Sequence, residues 1–316
     1  MIIEILKAVL IGVVEGITEW LPISSTGHMI LVDEFVKLDV SDTFLELFLV
    51  VIQLGAIMAV LILYFNKLNP FSRRKTEAER RGTWRLWGMV VIGCVPAAAI
   101  GLTLDDFFNE HFYNAWTVAV ALIAYGVVFI VLERRNRARV AAAREKALAG
   151  GAEVHGRHVR VEAADGAADF DEDALFRVRT VDDIDWKTAL KIGCFQMLAI
   201  IPGTSRSGST IIGGLLCGCS RTAAAEFTFF LAIPVMFGWG VLKTVKYVAE
   251  LGLVMTATEL AVLVVGIVVA FVVSVLSIKF LMGYIKKNDF TAFGWYRIAV
   301  GAVVLAYFGA KAAGLL

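Results

Sequence analysis

Residues 15–28 read EGITEWLPISSTGH and residues 202–210 read PGTSRSGST, two stretches of hydroxyls, glycines and charges set in otherwise apolar sequence. Each follows an apolar run: residues 2–14 end at Glu15, and residues 192–201 end at Pro202. A bilayer core of about 30 Å takes roughly 20 apolar residues of helix, so neither run is long enough to cross one. Irregular backbone at membrane depth persists only where protein or a wet cavity surrounds it. Both runs therefore read as re-entrant half-helix hairpins.

Around these two stretches lie six apolar runs of spanning length, some with help from their flanks: residues 47–64, 86–104, 116–132, 227–241, 260–281 and 296–308. The composition agrees. Of 316 residues, 59% are hydrophobic and 19% charged, with a mean hydropathy of +0.75, more apolar surface than one soluble core can hide. The fold class expected is an all-α polytopic membrane protein. Disorder and a disulfide scaffold are excluded, and a net charge of +1 gives no reason to expect a nucleic-acid partner. Cys94, Cys194, Cys217 and Cys219 sit in apolar or small-residue sequence and read as buried small hydrophobes. The opening MIIEILK lacks the basic start of a signal peptide, so it is expected to remain in the mature chain.

Lys67, Arg73, Arg74, Lys75, Arg80, Arg81 and Arg85 follow the first span, and Arg134, Arg135, Arg137 and Arg139 follow the third. Between them Asp105, Asp106 and Glu110 form an acidic turn. The basic loops are expected on the cytoplasmic side, with Lys243 and Lys246 as a smaller opposing vote. The first half-helix then dips in from outside and the second from inside. Three parts follow: residues 1–134, a polar cytoplasmic insert at 135–186, and 187–316. The insert is expected to be helical at AAAREKALA, with a small hairpin across VHGRHVRV. His155 and His158 there, like His111, read as solvated rather than metal-binding.

PISST from Pro22 and PGTSR from Pro202 are similar at an offset of 180 residues, which also aligns Ser24 with Thr204, Ser25 with Ser205 and Glu46 with Glu226. Each half then holds one half-helix and three spans, an odd number, so the halves should be inverted relative to each other. Inverted repeats with broken helices place a site where the breaks meet.

Glu15 and Glu19 share a helix face, and like charges at that spacing repel; in a membrane each also carries a burial penalty. If the motifs meet, Arg206 supplies the cation. Hydroxyls and glycines at the start of a half-helix suit an oxyanion, so Arg206, Ser205, Ser207 and Gly208, with Thr26, form a candidate phosphate cradle. A plain Glu–Arg pair at rest is compatible with it. Ser25 and His28, three residues apart, are a candidate nucleophile and base; His28 attacking phosphorus itself stays open. Two carboxylates, one guanidinium and an anionic substrate leave the site short of positive charge. A divalent cation, Mg²⁺ or Ca²⁺, is expected to bridge substrate oxygens and Glu15 and Glu19.

At these residues the sequence resembles the bacterial undecaprenyl-diphosphate phosphatase family of the bacitracin-resistance type. Residues 50–60 (VVIQLGAIMAV), 191–203 (KIGCFQMLAIIPG) and 220–234 (SRTAAAEFTFFLAIP) are similar to family sequence as well; the polar insert is longer than expected. The resemblance implies hydrolysis of undecaprenyl diphosphate to the monophosphate and phosphate, recycling the lipid carrier for cell-wall synthesis and conferring bacitracin resistance. It implies a divalent cation and a site opening to the outer face of the bacterial cytoplasmic membrane. By motif position, Glu15 and Glu19 serve metal binding or acid/base chemistry, Ser25 and His28 the attack, Arg206 the diphosphate grip, and Thr26 and Ser205 support it. Gln53 is a family-like polar group within reach. The rival expectation is a lipid-phosphate transporter or flippase using the same inverted-repeat site. Sequence fixes no oligomeric state, and a homodimer is one arrangement open to it.

Overall fold

The computed structural model describes residues 1–148, 152–154, 157–159, 162–164, 167–169, 172–252 and 255–315. Eleven α-helices run in chain order as α1 (Ile2–Thr18), α2 (Ser25–Phe35), α3 (Asp42–Leu63), α4 (Phe65–Leu68), α5 (Glu77–Phe112), α6 (Ala115–Leu148), α7 (Trp186–Met197), α8 (Arg206–Leu216), α9 (Arg221–Leu251), α10 (Ala257–Ile285) and α11 (Thr291–Ala312). Among the described residues six stretches are long and apolar enough to cross a membrane: Asp42–Leu63, Glu77–Leu104, Ala115–Lys146, Arg221–Ala249, Ala257–Ile285 and Thr291–Ala312. They coincide with the six runs read from the sequence, each extended by polar turns. The protein is an all-α, multi-pass membrane protein.

The insert holds two short antiparallel pairs, β1 (Ala152–Val154) with β2 (Arg157–Val159) and β3 (Glu162–Ala164) with β4 (Ala167–Asp169). The first falls on the expected hairpin. Its turn residue His155 lies outside the described residues, and His158 stands in β2 opposite Glu153. The AAAREKALA helix is not a separate piece. It is the end of α6, which runs unbroken because residues 127–148 contain neither glycine nor proline.

Close backbone approach, rather than large side chains, sets the helix contacts. A Cβ on Gly193 of α7 would lie 2.3 Å from the Gly93 carbonyl oxygen of α5, and one on Gly126 of α6 would lie 2.6 Å from that of Gly294 in α11. In lipid, where apolar burial between helices gains little, such small-residue seams let backbones pack directly. α1 lies on α10 as α7 lies on α5, and α6 faces α11. Polar caps close several helix starts: Ser41, Asp185 and Ser220 accept from the N–H groups of Phe44, Thr188 and Ala223. Each such cap contributes about 1 kcal/mol.

The bundle has two polar ends. At one, Lys67 pairs with Asp182, Arg85 donates to the carbonyls of Asp182 and Ile184, Arg137 pairs with Asp289, and Arg221 grips Glu133. At the other, Glu4 accepts from the Asp39 N–H and Lys311 pairs with Glu34. α1 starts at the second end and α7 at the first.

Candidate functional site

α1 ends at Thr18 and the chain turns through residues 19–23, where Pro22 withholds an N–H; α7 ends at Met197 and passes through a 3-10 turn, Leu198–Ile200, before Pro202. α2 and α8 then begin in the same way. Ser24 (φ 74°) and Ser205 (φ 70°) cap them, their hydroxyls accepting from the N–H groups of Gly27 (3.3 Å) and Gly208 (3.1 Å). They are the two non-glycine residues with positive φ among those described, a strained backbone of the kind that persists at functional sites. Local geometry thus equates Ser24 with Ser205 and Ser25 with Arg206, one residue beyond the 180-residue alignment of the sequence.

Gly203 is required as glycine. Its φ is +91°, and a Cβ there would lie 2.6 Å from the Val118 carbonyl oxygen.

The two breaks are bonded to each other. Glu19 stands at the centre: Arg206 Nη2 donates to Oε1 at 2.9 Å, and the Ser25 hydroxyl donates to Oε2, also at 2.9 Å. The pair is nearly dry, with side chains 11% and 10% exposed. Removing one partner of such a pair leaves the other charge stranded. Arg206 Nη1 donates to the Thr228 carbonyl at 2.9 Å, its guanidinium lies 5.9 Å from the Trp20 ring centroid, and its Nε has no protein partner. Thr228 in turn donates to Thr210, and Thr210 to the Arg206 carbonyl, which ties the arginine to α9. Ser207 donates to the Leu21 carbonyl at 3.2 Å and sits 3.1 Å from the Ser205 hydroxyl, a second bridge between the motifs.

These groups open onto a cavity of about 310 Å³, whose polar lining is Glu19, Ser25, Thr26, Gln53, Gln196, Ser205, Arg206 and Ser207. Glu15 is buried one turn before Glu19, and its Oε1 has no hydrogen-bond partner. Gly208 is not in the lining; it lies below, where a Cβ would sit 3.2 Å from Arg297 Nη1.

His28 is placed differently from the sequence expectation. Its Nδ1 lies 2.7 Å from the Ser24 carbonyl and its Nε2 2.8 Å from the Tyr296 hydroxyl, with the two rings stacked at 5.6 Å. A carbonyl only accepts, so Nδ1 carries the proton and Nε2 accepts from Tyr296. Both nitrogens are engaged, and the group that bonds Ser25 is Glu19.

Two residues beyond the sequence reading matter. Arg297, fully buried in α11, donates from Nη1 to the Pro22 carbonyl (3.2 Å) and from Nη2 to those of Gly203 (2.8 Å) and Thr204 (3.0 Å). One guanidinium thereby joins both breaks. Tyr296, its neighbour, fixes His28. An arginine inside an apolar span was the available signal, the same one that singled out the glutamates.

Glu19 has both oxygens engaged, and no group of three His, Cys, Asp or Glu side chains gathers among the described residues. The donor set is carboxylate, hydroxyl and carboxamide oxygen, hard ligands suited to Mg²⁺ or Ca²⁺ held largely by substrate and water.

Comparison with known proteins places the chain in a family. The family model for bacitracin resistance protein BacA matches residues 8–303. A protein named undecaprenyl-diphosphatase from Desulfitobacterium hafniense is 52% identical over 311 residues, covering 98% of each chain. One of the same name from Enterococcus faecalis is 50% identical over 301 residues, 95% of this chain and 96% of that one. Another, from Acetivibrio thermocellus, is 50% identical over 306 residues, 97% and 98%. With both motifs and nearly the whole length inside the match, this chain belongs to the BacA family of bacitracin resistance proteins.

Proposed function

We propose that this protein is a membrane phosphatase that hydrolyses undecaprenyl diphosphate to undecaprenyl phosphate and inorganic phosphate. The observation that carries the reading is Glu19 bonded at once to the Ser25 hydroxyl and the Arg206 guanidinium at the wall of one cavity. The family's relatives carry the same activity in their names. That name also disfavours the carrier alternative, which needs no serine activated by a carboxylate.

In this reading Ser25 Oγ attacks the terminal phosphorus while Glu19 Oε2 takes its proton. The bond to the bridging oxygen breaks, and Glu19 passes the proton to the departing lipid phosphate. Glu19 then takes a proton from the water that attacks the phosphoserine; the P–O bond to Ser25 breaks, phosphate leaves, and Glu19 returns that proton to Ser25 Oγ. Arg206 gives up part of its grip on Glu19 to the substrate oxygens, and its unpartnered Nε faces the same need. Thr26, Ser205 and Ser207 supply further donors on the cavity wall. Catalysis is then mainly positional and electrostatic. Glu15 is not in the cavity lining but lies buried one turn from Glu19 with a partnerless oxygen; with Glu19 it would hold a divalent cation, which would neutralise phosphoryl charge. His28 serves here as a fixed prop of α2 through Ser24 and Tyr296.

The halves are read as an inverted repeat with two re-entrant hairpins, supported by the matching caps at Ser24 and Ser205 and the matched helix pairs. The membrane is the bacterial cytoplasmic one, with the basic loops inside. Cavity walls from Ala97–Gly101 of α5 and Val235–Trp239 of α9 lie toward the opposite end, which favours an outward-opening site. A homodimer is compatible with the exposed apolar faces of the spans.

Purified protein in detergent tests the reading. Phosphate release from farnesyl diphosphate, dependent on an added divalent cation and abolished in Arg206→Ala, is expected. Lipid binding without turnover would support the carrier instead.

A further inference from the structure

Gln196 has no role in the account so far, and its surroundings demand one. It is 3% exposed, and neither Oε1 nor Nε2 of its carboxamide has a hydrogen-bond partner in the protein. It lines the cavity that Glu19, Ser25 and Arg206 share. It stands in the last turn of α7, which the Gly93–Gly193 backbone contact pins against α5, so the carboxamide is held in position. Gln196 precedes Ser205 by nine residues, as Glu15 precedes Ser24, and Glu15 also keeps a buried oxygen without a partner. The same place before each break holds a polar group with nothing in the protein to bond.

A buried amide left unpaired destabilises the empty protein, and such groups are rare unless something else satisfies them. The cavity's other polar groups, the Ser25 and Ser205 hydroxyls and the Arg206 guanidinium, are donors suited to an anion, so the partner that fits Gln196 is one rich in acceptor oxygens. We propose that Gln196 is a diphosphate-binding residue, its Nε2 donating to a phosphoryl oxygen of the substrate and its Oε1 taken by water. The assignment rests on the phosphatase reading above. An amide adds a donor without a further cation, so it grips the head group without competing with Arg206 for Glu19.

Four readouts on protein purified in detergent test this. With farnesyl diphosphate, Gln196→Met is expected to lose about ten- to a hundred-fold in kcat/KM, the span of one hydrogen bond to a charged group, carried mainly by KM. Without substrate the same variant is expected to melt no lower than the parent, because it removes an unsatisfied amide. Gln196→Glu is expected to be slower than Gln196→Met, since a carboxylate repels the diphosphate where an apolar chain only fails to bind it. Parental kcat/KM in Gln196→Met, a lower melting temperature with unchanged KM, or a Gln196→Glu variant as fast as the parent would each overturn the assignment. Inorganic pyrophosphate gives a reading free of turnover: it should raise the melting temperature of the parent and not of Gln196→Met. If the unaltered protein released no phosphate, the phosphatase reading would fail, and the pyrophosphate shift would still decide the role of Gln196.

Discussion

At the scale of single residues, Glu19 is a carboxylate with two demands on it, and the chemistry follows from meeting both. Arg206 holds one oxygen, and the other faces the Ser25 hydroxyl. Glu19→Gln keeps the shape and loses the base, so phosphate release should fall by about 10²- to 10⁴-fold, measured at saturating farnesyl diphosphate. Arg297 acts at one remove. It touches neither Ser25 nor Glu19 but joins Pro22 to Gly203 and Thr204 across 275 and 94 residues of chain. Arg297→Lys cannot reproduce a planar fork, so the breaks should separate slightly. Activity is expected to drop roughly a hundred-fold through misplacement, with a lowered melting temperature that Arg206→Lys does not match. Glu15, Glu19, Ser25 and Arg206 were legible in the sequence because charges and hydroxyls in apolar surroundings are conspicuous. Arg297 carried the same signal, a charge in an apolar span, but its partners are remote in sequence; Gln196 is uncharged and gave no such signal. The pairing of Ser25 with Glu19 rather than His28 was also hidden: spacing puts Ser25 and His28 on one face, but only the fold brings Tyr296 to the imidazole.

At the scale of elements, the helices were plain in the sequence and their terminations were not. Six spans announce themselves by length and apolarity, whereas the unbroken run of α6 past Arg134 needed the absence of glycine and proline to outweigh a change in composition. Ties between elements are concentrated at the basic end. Glu133, fully buried in α6, receives Arg221 of α9 through two nitrogens (2.8 and 3.1 Å) and the Phe290 N–H at 3.3 Å. Glu133→Ala leaves Arg221 with only its 3.7 Å contact to the half-exposed Glu172 and strands the Phe290 N–H, and should destabilise the fold by about 3 kcal/mol, read by denaturant or thermal unfolding in detergent. Asp289, in the turn between α10 and α11, is subject to burial that raises its carboxyl, but hydrogen bonds from Arg137 and Thr291 outweigh it and hold the group below its ordinary range. A depressed carboxyl stabilises the fold above its unfolded pKa and loses that contribution as pH falls through the folded value. The stability difference between the parent and Asp289→Asn should therefore be present at neutral pH and vanish well below about pH 3.9.

At the scale of the whole molecule, the chain breaks after α1 and α7 are bonded to each other, and the proposed arrangement is two half-length helices entering from opposite ends. That arrangement lets one buried pocket collect side chains from both halves, and it assigns an inside and an outside. With the four native cysteines replaced, a cysteine at position 311 should react with a membrane-impermeant thiol reagent from outside, and one at position 135 only from inside. The reverse pattern would turn the cavity to the cytoplasm. The most direct test of the account is a double-mutant cycle between the breaks, using phosphate release by Glu19→Gln, Arg206→Gln and the double variant. If the two residues act as a unit, the double variant should be no slower than the slower single variant. Losses that multiply, as for independent sites, would contradict a single pocket built from both halves.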